Sequence, residues 1–368
     1  MEPVAIVGWA QTRHAAARPD ANYMELAFEV VEALHARLGT GPRDVDTMIS
    51  ASSDFHDGRT ISNMSIQDAI GAPLKSESKV SMDGAFALSY GWARVASGAF
   101  DTCLVIAHAK LSEGDQAAIG NAAWDPITLR PLGFHEKAAL GLQARRWLDA
   151  HRLPETTLAR AAAASYARAA TNPNALRRDQ PDADAVGRSA PVADPLTALE
   201  IAADADGACC LLLASRERAR RFPGPKAWLR GVGMCYDAHS PGARDLADSM
   251  ALRRATAEAY RRAGVTDPRA QIGPVETVDR SSCQTLHWAE SLGLCDPGRS
   301  LEFLEQSEGA RYNASGGALA AWPGFAAGLV RVVEAAERLA ASDRPLALAH
   351  GANGALGQAH CVWILGKD

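Results

Sequence analysis

The apolar positions of the chain follow two spacings, which predict two kinds of element. Short apolar runs bounded by Gly, Asp or Pro predict buried strands, as in VAIVGWA at 4–10 and CLVIAHA at 103–109. Other segments, such as YMELAFEVVEALHARLG at 23–39, place apolar residues three and four apart and predict amphipathic helices. The chain is therefore predicted to be an α/β protein.

The order of these elements repeats once along the chain. A strand, a helix, a turn leading into a small-residue helix and a second strand occupy the first part, and the same order returns from AWLRGVGMCY at 227–236 to LALAHGANG at 346–354. His108 and His350 fall at matching positions in the two copies. Two copies of β-α-β-α-β predict two similar mixed sheets covered by helices.

A different segment interrupts the repeat. It spans 111–195 and contains helical patterns followed by a loop rich in Pro, Asp, Asn and Arg. The predicted division is therefore 1–110 with 196–222 as the first half, 111–195 as an inserted loop domain, and 223–368 as the second half.

Composition and charge exclude several classes of function. The 368 residues carry a net charge of −5 with no long block of one sign, which argues against a nucleic-acid partner. RERARRF at 216–222 is a short basic run, typical of a solvated helix end. No apolar run of membrane-spanning length occurs, and Met1 leads directly into a strand pattern, so we expect neither a membrane span nor a signal peptide and a cytoplasmic location. The seven scattered cysteines form no CxxC pair and predict buried reduced thiols without structural zinc.

Several motifs, taken in order, carry a resemblance to a known family. They are VAIVGWAQTRH at 4–14, SGAFDTCLVIAHAK at 97–110, VADPLTALEIAADADGACCLLLAS at 192–215, WAESLGLCDPG at 288–298 and YNASGGALAAWPGFAAG at 312–328. Their order resembles the thiolase superfamily, most closely its sterol-carrier-protein type, over essentially the whole chain. The resemblance implies a five-layer αβαβα thiolase fold built from two duplicated halves with an inserted loop domain, in a dimer.

The resemblance also implies an acyl-CoA thioester as substrate and four catalytic parts, three of which this chain lacks. Where the family places its cysteine nucleophile, VSMDGAFAL at 80–88 has Ser81. Trp322 stands at the histidine of the GHP loop, and Val278 at the histidine of a third loop. A serine needs a paired base to act as a nucleophile, and an indole cannot supply one. Covalent thiolysis is therefore disfavoured.

The remaining candidates for proton transfer lie on the same loops. His350 stands at the fourth catalytic position and titrates in the useful range, whereas its repeat partner His108 is interpreted as a core residue. Asp83 is interpreted as a helix cap, a functional carboxylate or both, and Asp279 is open between a loop hydrogen-bonder and a functional group. Tyr236 and Ser81 complete the predicted catalytic set. Predicted substrate-binding residues are Trp322, Asn313, Gly316, Gly317, His239 and His135.

Three functions fit this pattern. The first is a non-covalent C–C lyase that cleaves a β-hydroxyacyl-CoA by a retro-aldol reaction, which needs a base, an enolate-stabilising donor set and an acid but no acyl-enzyme. The second is a catalytically silent subunit, and the third is a degenerate acetyl-CoA acyltransferase. For the first, the resemblance implies a small zinc-ribbon/OB-fold partner. No cofactor bound in this chain is expected, with coenzyme A entering only as the thioester substrate.

Overall fold

The computed structural model describes residues 2–57 and 61–367. The strands are β1 Val4–Gln11, β2 Thr47–Ala51, β3 Ser76–Val80, β4 Thr102–Ala109, β5 Pro191–Ala193, β6 Leu196–Thr197, β7 Gly207–Ser215, β8 Ala227–Tyr236, β9 Ile272–Glu276, β10 Leu346–Asn353 and β11 Ala359–Gly366. Strands β2, β4, β7, β9 and β11 are buried along their whole length, and most of them are the short apolar runs of the sequence.

The helices include the amphipathic segments read from the sequence and several single turns in the loops. They are α1 Tyr23–Leu38, α2 Asp54–Asp57, α3 Ser62–Ile66, α4 Gly84–Ala96, α5 Gln116–Ala122, α6 Glu136–His151, α7 Thr156–Ala169, α8 Ala183–Gly187, α9 Arg216–Ala219, α10 Met250–Ala263, α11 Pro268–Gln271, α12 Ser282–Ser291, α13 Ser300–Glu305, α14 Gly317–Ala320 and α15 Ala327–Ala341. Within the described ranges, none is long and apolar enough to cross a membrane.

Nine of the described strands form one mixed sheet, whose order displays the repeat. The order is β3-β2-β4-β7-β1-β8-β11-β10-β9. From the β1–β8 contact outward, the strands on each side occur in the same relative order along the chain. The counterpart of β3 on the second side is only a single bridge between Val275 and Tyr312. The predicted domain boundaries at 110, 196 and 223 stay a prediction. The duplicated strand order is observed in the sheet.

Helices cover and separate the two sides of this sheet. One apolar cluster joins α1 to the first side, and another joins α10 and α12 to the second side. A third, in which α4 and α15 lie together, fills the space between the two sides. The order is helix, sheet, helices, sheet, helix, which is the five-layer αβαβα arrangement expected from the sequence.

The two central helices approach closely at their amino ends, and a glycine permits it. A Cβ added to Gly84, the first residue of α4, would lie 2.6 Å from Cβ of Leu329 on α15. That distance is well inside van der Waals contact, so a larger residue would force the helices apart. Gly84 therefore fixes the position of the turn Ser81–Asp83, which immediately precedes α4.

Candidate functional site

The turn Ser81–Asp83 lies among loops that leave the same edge of the sheet. Strands β2 and β3 are parallel, so the loops after Ala51 and Val80 begin side by side. The first loop is tied to β3 by an ion pair between Asp54 and Lys79. The ends of β8 and β10 also reach this turn, because the Tyr236 hydroxyl contacts Met82 and the Asn353 side chain accepts the Asp83 N–H.

Within this turn the serine and the aspartate have opposite environments. Ser81 is exposed, and its hydroxyl makes no hydrogen bond to any residue that the structure describes. Asp83 is only 2 % exposed and caps two helices, because its carboxylate accepts the N–H of Ala85 on α4 (2.9 Å) and of Gly328 on α15 (2.7 Å). Burial raises the pKa of Asp83 to about 7, and these two hydrogen bonds oppose the rise. Asp83 therefore holds the scaffold, and no base hydrogen-bonds to Ser81 in the part of the chain that the structure describes.

One row of residues across three strands faces the turn. Tyr236 on β8 lies opposite Ala359 on β11, which lies opposite Asn353 on β10. The Asn353 side chain accepts the backbone N–H of Asp83 (3.1 Å). The Tyr236 hydroxyl lies 3.5 Å from the sulfur of Met82, and its ring contacts Phe86. Tyr236 is 62 % exposed, and partial burial raises its pKa, so the phenol stays protonated at neutral pH.

The positions of the two missing family residues are filled by an apolar cluster. Val278 and Trp322 pack in it, and Ala352 lies against it. The backbone of Trp322 pairs with Ala203 and Ala205, which fixes the loop. These positions therefore carry apolar side chains, and the absence of the covalent step stays a prediction.

On its outer side, Trp322 carries a charged pair from two different segments. The Arg280 guanidinium lies 3.7 Å from the centre of the indole and 2.8 Å from the Glu136 carboxylate of the inserted segment. These three residues and His135, which accepts the Ala138 N–H as the N-cap of α6, line a small cavity of about 80 Å³. The structure therefore places Trp322 and His135 together, as the sequence predicted for substrate-binding residues.

His56 is a member of this region that the sequence did not single out. Its ring lies 5.3 Å from that of Phe325 in the Trp322 loop, and Nδ1 is buried with no hydrogen-bond partner among the described residues. Burial lowers the pKa of His56, Arg280 lowers it further, and Glu136 opposes the shift. The imidazole is neutral at pH 7 and half-buried, so it can accept a proton.

Asp279 lies away from the open surface, in a hydrogen-bonded cluster with other predicted site residues. Its carboxylate accepts from the Thr285 hydroxyl (2.6 Å), the Asn313 amide (3.0 Å) and the Ala318 N–H (2.7 Å). Asn313 is buried, and a Cβ at Gly317 would lie 2.6 Å from Asp279. Burial raises the pKa of Asp279 to about 7. The cluster shapes the turn around Gly316 and exposes none of these groups.

His350 is likewise buried, on the other face of β10 from Asp83. A Cβ at Gly351 would approach the Asp83 carboxylate, and neighbouring residues of a strand point to opposite faces. His350 Nε2 instead lies 2.9 Å from His360 Nδ1, and His360 Nε2 lies 3.2 Å from the Ser249 hydroxyl. Burial lowers the pKa of His350 to about 3. The structure does not bring His350 together with Tyr236 and Ser81.

The two remaining predicted histidines differ in exposure. His239 is exposed in the loop after β8, with its ring 5.4 Å from that of Trp124 in the inserted segment. His108 is buried on β4 against the ring of Tyr23, as expected of a core residue. No group of three or more His, Cys, Asp or Glu that could hold a metal ion occurs in 2–57 and 61–367.

The His350–His360 pair predicts a loss of stability in acid. Burial lowers the pKa of both imidazoles, so below pH 6.5 the unfolded chain binds protons that the native chain does not. Each imidazole then costs about 2 kcal/mol of unfolding free energy between pH 6.5 and 5. The raised pKa values of Asp83 and Asp279 stabilise the native chain in acid and so act in the opposite direction. To isolate the histidines, the pH dependence of the unfolding free energy in urea is compared between the wild type and His350→Leu/His360→Leu. The variant should lose less stability over this interval; parallel curves would contradict the assignment.

Comparison with known proteins places this geometry in a known fold. Residues 234–367 match the family described as Thiolase C-terminal domain-like. The steroid side-chain-cleaving aldolase of Thermomonospora curvata is 26% identical over 296 residues, which are 76% of this chain and 75% of that relative. The acetyl-CoA acetyltransferase of Methanocaldococcus jannaschii is 25% identical over 314 residues, 82% of this chain and 78% of that relative.

Solved structures agree over the whole chain. The structure titled Ltp2-ChsH2(DUF35) aldolase superposes with a TM-score of 0.79 at 22% identity, over 100% of this chain and 98% of that chain. A monomeric SCP2-thiolase-like protein type 1 from Mycobacterium smegmatis superposes with a TM-score of 0.75 at 19% identity, over 99% of this chain and 76% of that chain. The thiolase fold and the resemblance to the thiolase superfamily predicted from the sequence are confirmed.

Proposed function

We propose that this thiolase-like chain is a C–C lyase that cleaves a β-hydroxyacyl-CoA by a non-covalent retro-aldol reaction. The observation that carries the proposal is the pairing of an unactivated Ser81 with an exposed phenol, Tyr236, at the same turn. A thiolase fold without an activated nucleophile retains a thioester site, and a retro-aldol step needs only proton transfer there. Similarity to a protein named a steroid side-chain-cleaving aldolase supports this reaction class.

The proposed reaction makes two proton transfers and breaks one C–C bond, and the proton taken up by the base returns to the acid through solvent at the end of the cycle. A base removes the proton of the β-hydroxyl, the bond between Cα and Cβ breaks, and its electron pair becomes the enolate of the thioester. An acid then protonates Cα, releasing an aldehyde or ketone and a shortened acyl-CoA. We assign the acid and enolate donor to Tyr236, whose phenol stays protonated, and the base to His56, whose lowered pKa keeps it neutral.

Asn353 and Asp83 have positioning roles in this proposal. The Asn353 side chain holds the backbone N–H of Asp83, and Asp83 holds the amino ends of α4 and α15. The small side chain of Ala359 leaves space between Tyr236 and Asn353 in the row across the strands. An acyl thioester lying over this row would have its carbonyl within reach of the phenol.

A second protein is proposed to cover the open side of this site. Tyr236 and Met234 are exposed side chains near the end of β8, and water at the phenol would weaken an electrostatic contact to an enolate. The solved neighbour Ltp2-ChsH2(DUF35) aldolase has a DUF35 component in its title. We therefore propose a small zinc-ribbon/OB-fold partner of the DUF35 type here.

Co-expression with the genomic neighbours tests both proposals. We expect a DUF35-type protein to copurify and the complex to release a carbonyl product and a shortened acyl-CoA from a panel of β-hydroxyacyl-CoAs, measured by mass spectrometry. Full activity of the isolated chain would overturn the partner proposal and leave the lyase proposal standing. A complex that forms but turns over no β-hydroxyacyl-CoA would overturn the lyase proposal.

A silent subunit remains the second candidate, because one specific observation favours it. Apolar Val278 and Trp322 occupy two of the family's catalytic positions, and the cavity beside Trp322 is only about 80 Å³. A silent subunit would copurify with a thiolase paralogue that has an intact cysteine. In that complex, changing Tyr236 would leave the rate unaltered.

A further inference from the structure

The basic run RERARRF folds into the wall of a groove at the amino end of β8. The groove has a volume of about 400 Å³ and is lined by Arg216, Ala219, Arg220, Lys226, Trp228 and Arg230. Its residues come from α9, the loop after it and the first four residues of β8. The sequence alone indicated a solvated helix end for 216–222. It did not show that Lys226, Trp228 and Arg230, which follow later in the chain, lie beside this run.

Local contacts hold several of these side chains in place. The Lys226 ammonium donates to the carbonyl oxygens of Phe222 (2.9 Å) and Gly224 (2.8 Å). Arg230 donates to the Lys367 carbonyl (2.8 Å). Trp228 is half-buried, with the Arg216 and Arg230 guanidinium carbons 5.8 Å and 6.0 Å from its ring centre. The groove is therefore formed before any ligand arrives.

The four cations that line the groove have no carboxylate partner in the part of the chain that the structure describes. Arginines close by do have one, since Arg218 pairs with Asp44, and both Arg261 and Arg262 pair with Glu258. Arg216, Arg220, Lys226 and Arg230 take part in none of the ion pairs among 2–57 and 61–367. Four positive charges that converge on one cavity favour an anion with several negative charges.

We infer that this groove binds the diphosphate group of a nucleotide. Guanidinium groups bind phosphate oxygens in a bidentate manner, and three arginines with one lysine match the charge of a nucleoside di- or triphosphate. The stack of Arg216, Trp228 and Arg230 offers aromatic and guanidinium planes on which a flat base can lie.

A second cavity lies beside the groove. It has a volume of about 550 Å³, shares Arg230 with the groove, and has apolar walls that include Trp92, Leu229 and Trp363. Strand β8 runs from this groove to Tyr236, and its rise separates Trp228 from Tyr236 by about 26 Å. The inferred site is thus distinct from the acyl-thioester site and does not depend on the proposed lyase activity.

The test is calorimetric titration of the full chain with ADP. The double variant Arg216→Ala/Arg220→Ala removes two exposed cations, and the matched control Arg254→Ala removes an exposed arginine on α10. We expect ADP to bind the wild type and the control equally, with a Kd at least 10-fold weaker in the double variant and weakened further by salt. Inorganic pyrophosphate should bind at least 5-fold more weakly than ADP, because it has no base to stack.

Three results would overturn the inference. They are no binding at 1 mM ADP (a probe concentration of about 100 times a 10 μM Kd), equal binding by the double variant, and equal affinity for pyrophosphate and ADP. Competition with coenzyme A distinguishes the two possible ligands, which are a free nucleotide and the nucleotide end of a thioester. Displacement of ADP by coenzyme A through the same arginines assigns the groove to the nucleotide end of a thioester, and retention of ADP assigns it to free nucleotides.

Discussion

Tyr236→Phe is expected to lower kcat for retro-aldol cleavage by at least about 100-fold, the effect of losing a general acid. The substitution removes only the hydroxyl oxygen, whose one hydrogen-bond contact within 2–57 and 61–367 is the sulfur of Met82. Because the ring is 62 % exposed, the fold should tolerate the change, with an unaltered unfolding midpoint in urea. The measurement is the rate of carbonyl release from β-hydroxyacyl-CoA by the complex with its partner.

Ser81→Ala is the matched control for this prediction. Ser81 lies at the same turn and is exposed, but no described residue activates its hydroxyl, so the rate should change by less than about 3-fold. Total loss of activity in Ser81→Ala, with full activity in Tyr236→Phe, would restore covalent chemistry and contradict the assignment of the phenol. His56→Gln should lower the rate and remove the acidic limb of the pH–rate profile.

Arg331→Met is expected to cost about 3–5 kcal/mol of unfolding free energy, because it leaves a carboxylate buried without its main partner. The Arg331 guanidinium lies 3.1 Å from Glu276, and both side chains are at most 3 % exposed. Arg331 and Glu276 also hold the hydroxyl of Ser315 in the loop before α14. Loss of the cation should therefore unfold the second half of the chain at lower urea concentration.

The second change, Glu276→Gln with Arg331→Met, tests the cause. If the penalty comes from an unpaired charge, the double variant should recover more than half of the lost stability. Arg188→Met, which breaks an exposed pair with Asp184, should cost less than about 1 kcal/mol. A loss below 1 kcal/mol in Arg331→Met would contradict the importance of the buried pair.

Much of the fold was predictable because it depends on short-range patterns and on one repeat. Buried strands such as β4 and β7 are continuous apolar runs, and α1 has helical spacing with a capping Asn22. The duplicated order predicted two similar mixed sheets, and the structure joins them through the β1–β8 contact into one nine-stranded sheet. The interpretation of Asp83 as a helix cap is confirmed in α4, since a cap is a contact between neighbours in the chain.

The candidate site was predictable in part. Ser81, Val278 and Trp322 were found by their positions in motifs, and the structure packs Val278 and Trp322 in one apolar cluster. His56 and Asn353 were missed because neither lies in a motif. Asn353 reaches the turn from the end of β10, and His56 reaches the Trp322 loop from the loop after β2. The motif did not show that the side chain of His350 points into the core, which follows from the alternation of side chains along β10.

The sequence by itself determined the class of fold and the order of its elements, and it showed a serine where the family it resembles has a cysteine, because each follows from local spacing or from residue identity at a motif. Only the tertiary structure decided which polar groups share a surface. Tyr236 faces the turn at Ser81, His350 and Asp279 are buried, and a basic run meets Trp228 and Arg230 in a groove. Strand alternation and register set these relations, and a shift of one residue would reverse which groups face the site.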